Sequence, residues 1–473
     1  MFGGEADHNG WGAYELSNGE IVSVAEYLPD PTTIGWMTRW YHTSADGELL
    51  TEKDIFGFGF AYPRKLLMLS DQRFLIAGSS ARISDARNRP YLTEVNAEGE
   101  EQWKYMYEYL GVDSSTNPLG EALDVDRMPD GGYLVTAFVT QAFPLSRSIT
   151  LIRTDEVGNP VWVQRNMGLG LVDRGRSAVD NEGNIYSFIS SFKRPGTPHW
   201  LTLQKRTAQG DLIWEKDFAY LIPDLRVTDF ILNHANELVV VGNFASGAHA
   251  NQAVILQYSP EGNFLQERLL VVDGWSSTNI SSVIQTQDRG YLFVGALSDP
   301  TNNQFPFPPM DMWIRKTHPQ WGLEWEKIFG IGANNMDVLH SVVESRTGGA
   351  IACGTSTFFW EAIGNEVVLL KVGPDGDTLG IAAPYAELDW QIFPNPAQEI
   401  AYLWARDGEE WLTGDAPVTI LVYDMLGREI FLPTQVQNGK LALDVSRIAA
   451  GIYTVRLSVQ GRVIGQAKVL KQN

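Results

Sequence analysis

The chain has 473 residues, 44 % of them hydrophobic and 20 % charged, which is typical of a folded globular protein rather than a disordered chain or a coiled coil. A formal net charge of −21 repels nucleic-acid backbones and anionic membrane surfaces, so it argues against nucleic acid as a partner. No apolar stretch is long enough for a membrane-spanning helix, and a single cysteine, Cys353, excludes a disulfide scaffold and a multi-cysteine metal site.

Two sequence elements alternate along the first 380 residues. In one element, a short apolar run is followed by five or six residues, a glycine and a second strand. These glycines are Gly47, Gly99, Gly158, Gly210, Gly262, Gly322 and Gly376, and the tryptophans that follow several of them are Trp103, Trp162, Trp214 and Trp325. In the other element, a polar turn leads into an apolar strand that reaches a small residue four positions on. Its copies begin at Ile21, Phe74, Tyr133, Leu238, Tyr291 and Ala350, with a degenerate copy at Ile185.

Each repeat therefore contains four short strands joined by tight turns, in which glycine supplies the positive φ. Four strands per unit, repeated seven times, predict an all-β fold: a seven-bladed β-propeller with four-stranded blades over residues 1–383. A β-solenoid is the alternative, although its coils are usually shorter. We expect the first and last repeats to meet and close the ring, and the repeated tryptophans to pack between blades.

The repeat ends near Gly380, and residues 384–390 form a predicted linker. Residues 391–473 are neutral, with 8 Lys and Arg against 8 Asp and Glu, so the whole negative charge lies on the propeller side. About seven short alternating strands in this segment predict a small Ig-like β-sandwich.

The C-terminal segment resembles a known family, the type A C-terminal sorting domain of the type IX (Por) secretion system. The resemblance covers residues 391–473 and begins at Phe393-Pro394-Asn395-Pro396. The residues that carry the sorting motif are Pro394, Asn395, Pro396, Asp424, Gly427, Asp444, Gly451, Tyr453, Lys468 and Lys471. The insertion at residues 406–415 is longer than the family pattern. The repeat region more loosely resembles the repeat β-propeller passengers of other proteins secreted by this system.

The resemblance implies a partner and a location. The partner is the type IX secretion machinery, bound through residues 391–473. The expected location is outside the cell or on the outer-membrane surface of a Gram-negative bacterium, after transit through the periplasm. Met1–Asp7 lacks the basic and apolar regions of a signal peptide, so we expect the precursor to carry one that this chain does not include.

The motifs of common chemistries are missing from the sequence. The seven histidines form neither an H-E-x-x-H motif nor a close pair, and no P-loop or G-x-S-x-G elbow occurs, so we predict no metal and no cofactor. Cys353 lies in an apolar strand and is expected to be a small buried side chain. Whether the protein is an enzyme stays open, with a non-enzymatic role favoured.

The binding candidates are aromatic and charged residues on the face that carries the longer loops. The aromatic candidates are Trp200, Trp275, Phe305, Phe307, Phe358, Phe359 and Trp360, and the charged or polar candidates near the channel mouth are Arg64, Glu121, Arg176, Asp229 and His340. Such aromatics suit sugar rings or protein hot spots. The favoured hypothesis is a module that binds or adheres to a glycan or a protein. The alternatives are a polysaccharide-acting enzyme on the same face and a structural scaffold of the envelope.

Overall fold

A computed structural model describes residues 7–28, 36–55, 59–82, 84, 87–108, 118–141, 146–166, 171–192, 199–219, 225–245, 251–298, 309–330, 335–357, 365–382, 390–405, 418–423, 429–430, 432, 434–437, 440–459 and 462–472. These residues contain 36 β-strands and no helix. The chain divides into two compact units, Met1–Ala382 and Ala383–Asn473.

The first unit consists of consecutive groups of four strands. The first four groups are β1 (Asp7–Glu15), β2 (Ile21–Leu28), β3 (Met37–Thr43) and β4 (Leu49–Ile55); β5 (Gly59–Ser70), β6 (Arg73–Arg82), β7 (Arg89–Val95) and β8 (Glu101–Met106); β9 (Leu119–Arg127), β10 (Tyr133–Gln141), β11 (Ser146–Thr154) and β12 (Pro160–Asn166); and β13 (Leu171–Val179), β14 (Ile185–Phe192), β15 (His199–Arg206) and β16 (Leu212–Ala219). The remaining groups are β17 (Arg226–Leu232), β18 (Leu238–Ala245), β19 (Asn251–Tyr258) and β20 (Phe264–Leu270); β21 (Ser277–Gln285), β22 (Tyr291–Ser298), β23 (Met310–Thr317) and β24 (Leu323–Phe329); and β25 (Met336–Glu344), β26 (Ala350–Thr357), β27 (Asn365–Val372) and β28 (Thr378–Ala382).

Within each group the strands pair antiparallel in chain order, and we number the groups as sheets one to seven. A parallel bridge between Met310 and Met336 links sheets six and seven. The first strand of each sheet contacts the first strand of the next, and β25 contacts β1, so these strands form a continuous ring around a channel. Four-stranded meanders arranged radially about a channel are the architecture of a β-propeller.

Tight turns of one kind join the strands at one end of the sheets. In the described residues, thirteen turns share the same two backbone hydrogen bonds, as in the pair from Leu16 N to Glu20 O and from Gly19 N to Leu16 O. The residue in the left-handed region is glycine in ten of them and Asn236, Arg289 or Trp321 in the others. In the turn that contains the repeat glycine Gly322, the residue with the left-handed conformation is Trp321, one position before that glycine.

Six first strands carry a β-bulge at an equivalent position. The backbone beside the bulge comes close to the second strand, which explains why the repeat has a small residue there. The bulged residues are Trp11, Arg64, Leu123, Thr228, Ser281 and His340. Each lies 14 residues before a Gly or Ala of the second strand. A Cβ on Gly295 would collide with the carbonyl oxygen of Asn279. In sheet four, where Ile189 replaces the small residue, the bulge moves to Asp173.

The repeated tryptophans bridge adjacent sheets. The indole N–H of Trp162, in sheet three, donates to the carbonyl of Ala208 in sheet four at 3.2 Å. The indole of Trp325 makes the same contact from sheet six to Pro374 in sheet seven at 2.7 Å. A Cβ on Gly158 would lie 2.5 Å from the ring of Trp103, so glycine there leaves room for the neighbouring indole.

Sheets one and seven pack against each other and close the ring. Their common core cluster contains Ala13, Ile21, Ala25, Tyr41, Ile351, Cys353, Val367 and Leu369. Glu15 accepts hydrogen bonds from the Arg346 backbone N–H and the Lys371 ammonium, both at 2.8 Å. The predicted meeting of the ends is confirmed. Among the described residues, sheet one contains β1–β4 alone, so their contact with sheet seven is packing and not a shared sheet.

The second unit contains two four-stranded antiparallel sheets. Its strands are β29 (Trp390–Phe393), β30 (Ile400–Ala405), β31 (Val418–Tyr423), β32 (Glu429–Ile430), β33 (Thr434–Gln437), β34 (Lys440–Asp444), β35 (Gly451–Val459) and β36 (Arg462–Lys471). The sheet orders are β29-β30-β34-β33 and β32-β31-β35-β36. Both sheets contribute to one core, in which Leu403 and Leu443 from one sheet meet Val422 and Val455 from the other.

Candidate functional site

The bulged residues of neighbouring first strands meet inside the ring, near the middle of each strand. The rings of Trp11 and His340 are stacked, with centroids 5.2 Å apart and planes at 21°. The Arg64 guanidinium lies over the Trp11 ring at 4.5 Å. A β-bulge changes the direction in which a side chain points, so three equivalent bulges place these side chains together although they come from sheets seven, one and two.

Two carboxylates fix the Arg64 guanidinium. Its Nη1 donates to Glu26 Oε2 at 2.8 Å, and its Nε pairs with Glu121 Oε1. Glu26 also accepts from the Asn9 side chain at 3.1 Å. Arg64 in sheet two thus links sheet one to sheet three. We call Trp11, Glu26, Arg64, Glu121 and His340 the mouth cluster.

The imidazole of His340 is neutral at neutral pH. Burial lowers its pKa to about 4, and the nearby Arg64 charge adds to the effect. A neutral imidazole keeps one nitrogen as a hydrogen-bond acceptor and the other as a donor. The mouth cluster therefore combines donors, acceptors and aromatic surface.

Below the mouth, a cavity of about 290 Å³ lies along the channel and is lined by residues from all seven first strands. The Lys65 ammonium is 3.5 Å from Asp124 Oδ1, and this charge is the first cause of a raised pKa for Lys65. Asp229 accepts from the Ser282 hydroxyl at 2.8 Å and from the Val283 backbone N–H at 3.0 Å. Asp229 thus joins sheets five and six.

Asp126 differs from the other two channel carboxylates. It lines the same cavity, and no hydrogen bond to its carboxyl occurs within the described part of the chain. Burial, followed by the neighbouring charge of Asp124, raises its pKa to about 8. The Asp126 carboxyl therefore holds its proton more tightly than a free aspartic acid does, while Asp124 is paired with Lys65.

The structure brings together some of the predicted binding residues. Arg64, Glu121 and His340 belong to the mouth cluster, and Asp229 lines the channel below it. Arg176 is half-buried in β13, where its guanidinium donates to the carbonyl of its neighbour Gly175, and it is absent from the cavity lining.

The predicted aromatic residues are dispersed. Trp200 is half-buried in β15 opposite Ala219, and Trp275 packs on the core shared by sheets five and six. Phe305, Phe307, Phe358, Phe359 and Trp360 lie outside the described residues.

Sequence reasoning missed Trp11, Glu26 and Lys65, and it did not include Asp124 and Asp126 among the predicted binding residues. The sequence does contain a pattern that identifies Trp11. Like Arg64 and His340, it lies 14 residues before the small residue of the following second strand. The channel residues gave no such signal, since alternation along an inner strand does not reveal which polar side chains share a cavity. No group of three His, Cys, Asp or Glu residues in the described ranges is placed to hold a metal ion.

The sorting-motif residues make contacts inside the second unit. Asn395 Oδ1 accepts from Leu470 N at 2.8 Å, and Ala397 forms a parallel bridge with Lys471. The Tyr453 hydroxyl donates to Ala449 O at 2.8 Å. Asp444 accepts from the Ser446 N–H and hydroxyl, which hold the pKa of this carboxyl below its usual value.

The other sorting-motif positions have fewer described contacts. Pro394 and Pro396 are exposed, Gly451 begins β35 and Lys468 lies in β36. Asp424 and Gly427 lie outside the described residues.

The fold and these contacts define a β-propeller followed by a compact, two-sheet C-terminal unit. Residues 391–472 match the family model described as the secretion system C-terminal sorting domain. The C-terminal unit is accordingly a sorting domain of this family, and it supports type IX secretion of the β-propeller passenger. Within the described chain, no helix has the length and apolar character that crossing a membrane requires.

Comparisons with whole proteins show only distant likeness. A search of curated proteins returned no match. Similar solved structures include a puromycin hydrolase, with 12 % identity and a TM-score of 0.46 over 95 % of this chain and 58 % of that one. A Mycobacterium tuberculosis puromycin-hydrolyzing peptidase has 9 % identity and a TM-score of 0.45 over 82 % and 57 %. The Neurospora crassa Pan2 WD40 domain has 10 % identity and a TM-score of 0.38 over 66 % and 83 %.

Proposed function

We propose that the passenger is a closed seven-bladed propeller that acts outside the cell as a glycan-binding module, and that an Ig-like C-terminal domain directs its secretion. The binding site is the mouth cluster. The observation that carries this proposal is the placement of Arg64 over Trp11 and between Glu26 and Glu121.

The chemistry of the mouth suits a neutral glycan. The guanidinium offers donors, the two carboxylates and the neutral His340 imidazole offer acceptors, and vicinal sugar hydroxyls need both. The excess of carboxylates over cations in the passenger disfavours a polyanionic ligand.

The long connections lie at the end of the channel where the first strands begin. Because each sheet is an antiparallel meander, the connections from second to third strands join the ends on that side. The longest of these spans the residues between Ser298 and Met310 and contains Phe305 and Phe307. The connection between Thr357 and Asn365 contains Phe358, Phe359 and Trp360. We propose that these aromatics extend the binding face around the mouth.

The polysaccharide-acting enzyme is less well supported. A glycosidase needs two carboxyl groups on either side of the scissile bond. Asp124 and Asp126 both line the channel cavity, but this cavity has about 290 Å³, space for about ten waters. That volume is too small for a polymer chain.

Binding of the intact protein to a glycan array tests the proposal. Arg64→Gln and Glu121→Gln each remove one charge from the mouth cluster. We expect each substitution to weaken glycan binding about tenfold or more, because a charged hydrogen-bonding group is lost. Arg73→Gln is the matched control. Arg73 pairs with Glu94 at 2.7 and 2.9 Å but begins β6, at the opposite end of the channel.

The outcomes separate the candidate functions. Glycan binding that is lost in both mouth variants and in Trp360→Ala or Phe307→Ala, but kept in Arg73→Gln, supports the module. Binding that survives both mouth substitutions contradicts the assigned site. Binding of a surface protein but of no glycan favours protein adhesion, and binding of neither favours the scaffold.

A further inference from the structure

A chain of side-chain hydrogen bonds reaches the mouth cluster from sheet seven. Asn365, the first residue of β27, donates through Nδ2 to Asn9 Oδ1 at 3.1 Å. Asn9, in β1, donates through its own Nδ2 to Glu26 Oε1 at 3.1 Å. The other oxygen of this carboxylate, Oε2, accepts from Arg64 Nη1 at 2.8 Å. Four side chains therefore connect sheet seven to the guanidinium in sheet two.

The register of β1 and β2 brings Asn9 to Glu26. The two residues are directly opposite each other in this ladder, so their side chains lie on the same face of sheet one. The Glu26 carboxylate is nearly buried and can only accept hydrogen bonds, so Asn9 must turn its NH₂ group toward it. The amide oxygen of Asn9 then points the other way and needs a donor, which Asn365 supplies. Asn365 thus fixes the amide orientation that Glu26 requires.

The two oxygens of the Glu26 carboxylate have separate partners. With Oε1 held by Asn9, the carboxylate cannot rotate without losing a hydrogen bond, so Oε2 stays in place for the guanidinium of Arg64. We propose that Asn9 and Asn365 are positioning residues of the glycan site, which hold Glu26 where its ion pair keeps the guanidinium over the indole of the mouth cluster. This role rests on the proposed function of the mouth cluster.

Sheets five and six contain an equivalent bond without this consequence. Asn251, the first residue of β19, donates through Nδ2 to Asn279 Oδ1 at 3.0 Å. Asn279, like Asn9, lies two residues before the bulged residue of a first strand. It is opposite Ala296, however, and so has no carboxylate to hold across its ladder. The bond between two asparagines is thus a repeated contact between neighbouring sheets, and between sheets seven and one it continues to an ion pair.

A double-mutant cycle tests the chain without any glycan. We expect the Asn365→Ala, Arg64→Gln double variant to change the unfolding equilibrium constant by at least about threefold less than the product of the two single changes, because residues of one hydrogen-bond network are coupled. Asn251→Ala combined with Arg64→Gln is the matched control, and its two effects should multiply to within about twofold. Chemical denaturation of the full chain measures these constants. Effects that multiply in both pairs would overturn the proposal.

Isosteric substitutions test the positioning on the glycan array. Asn365→Asp replaces a donor by an acceptor, so Asn9 must turn its NH₂ group away from Glu26. Asn251→Asp makes the same change where no carboxylate follows. For each glycan that the wild-type protein binds, we expect Asn365→Asp to weaken binding about tenfold or more and Asn251→Asp to leave it within about twofold.

The outcomes distinguish the positioning role from the glycan site itself. Equal affinities of Asn365→Asp and Asn251→Asp would overturn the positioning role, whereas a selective loss in Asn365→Asp supports it. If the wild-type protein binds no glycan on the array, the proposed glycan site fails. The double-mutant cycle, which uses no glycan, then decides alone whether Asn365 acts on Arg64.

Discussion

Trp11 and His340 stack face to face, although one lies in the first sheet and the other in the last. Gly10, the residue before Trp11, also packs closely on sheet seven. A Cβ on Gly10 would lie 2.5 Å from the carbonyl oxygen of Gly354. The contact that completes the ring therefore also builds the candidate site. Any change that opens the ring between these sheets should separate His340 from the other four residues of the mouth cluster.

Glu15 is one of the polar groups that join the two sheets. We expect Glu15→Ala to lower the free energy of unfolding by about 2–4 kcal/mol, because it leaves the nearly buried Lys371 ammonium without its carboxylate. Chemical denaturation monitored by tryptophan fluorescence measures this change.

Glu52→Ala is the matched control for that substitution. Glu52 pairs with Arg39 at 3.3 Å but is about half exposed, so its removal should cost less than about 1 kcal/mol. Equal losses in the two variants would show that Glu15 contributes no more than a surface ion pair.

His340 should make stability depend on pH. Its pKa is lower in the folded state, about 4, than the ordinary 6.5, so between these values the unfolded chain binds more protons. The stability present above pH 6.5 is lost as the pH falls toward 4, by up to about 3 kcal/mol. His340→Gln should flatten the unfolding free energy across this window, whereas the exposed His318→Gln should leave the slope unchanged. A wild-type slope retained in His340→Gln would contradict the prediction.

Two substitutions at turn positions with positive φ should change the stability of the protein in opposite directions. Arg289 has φ of 68° and is exposed, so Arg289→Gly should relieve backbone strain and stabilise the protein by about 0.5–1 kcal/mol. Gly19 has φ of 87°, and a Cβ there would meet the Ala45 Cβ at 3.5 Å, an ordinary contact, so Gly19→Ala adds strain without a clash and should destabilise by about 1 kcal/mol. Thermal unfolding of both variants checks the signs, and a destabilised Arg289→Gly would refute the argument.

The repeat made the fold predictable, since alternation and turn glycines are local properties. The second strands were identified by a small residue, such as Ala25 or Gly78, four positions after their start. The left-handed Trp321 was missed because its neighbour Gly322 fits the same pattern, and its conformation is accompanied by stacking on Tyr291 at 4.1 Å. Local sequence carries no information about that contact between distant rings.

The site was only partly predictable. Arg64, Glu121 and His340 were identified because they stand near the starts of inner strands, but Trp11 and Glu26 complete the cluster through contacts between sheets. Asp126 looked like an ordinary acidic residue. Its properties come from burial and from Asp124 and Lys65, which only the closed channel places around it.

Cys353 should be inert in the native protein. It is fully buried beside Gly10, and burial raises the pKa of its thiol to about 12. Because the thiolate is the reactive form, a thiol reagent at pH 8 should not modify the folded chain and should modify one thiol after denaturation. Rapid native modification would show that the packing between sheets one and seven opens readily.

The central claim is that residues 391–473 carry a β-propeller passenger out of the cell by the type IX route. The direct measurement is the distribution of the passenger between periplasm and cell exterior, by immunoblot of fractions from a host with this secretion machinery. A signal peptide is supplied to both the full chain and the chain ending at residue 390. We predict that the full chain reaches the exterior and that the shortened chain stays, folded, in the periplasm. Equal export of the shortened chain would contradict the account.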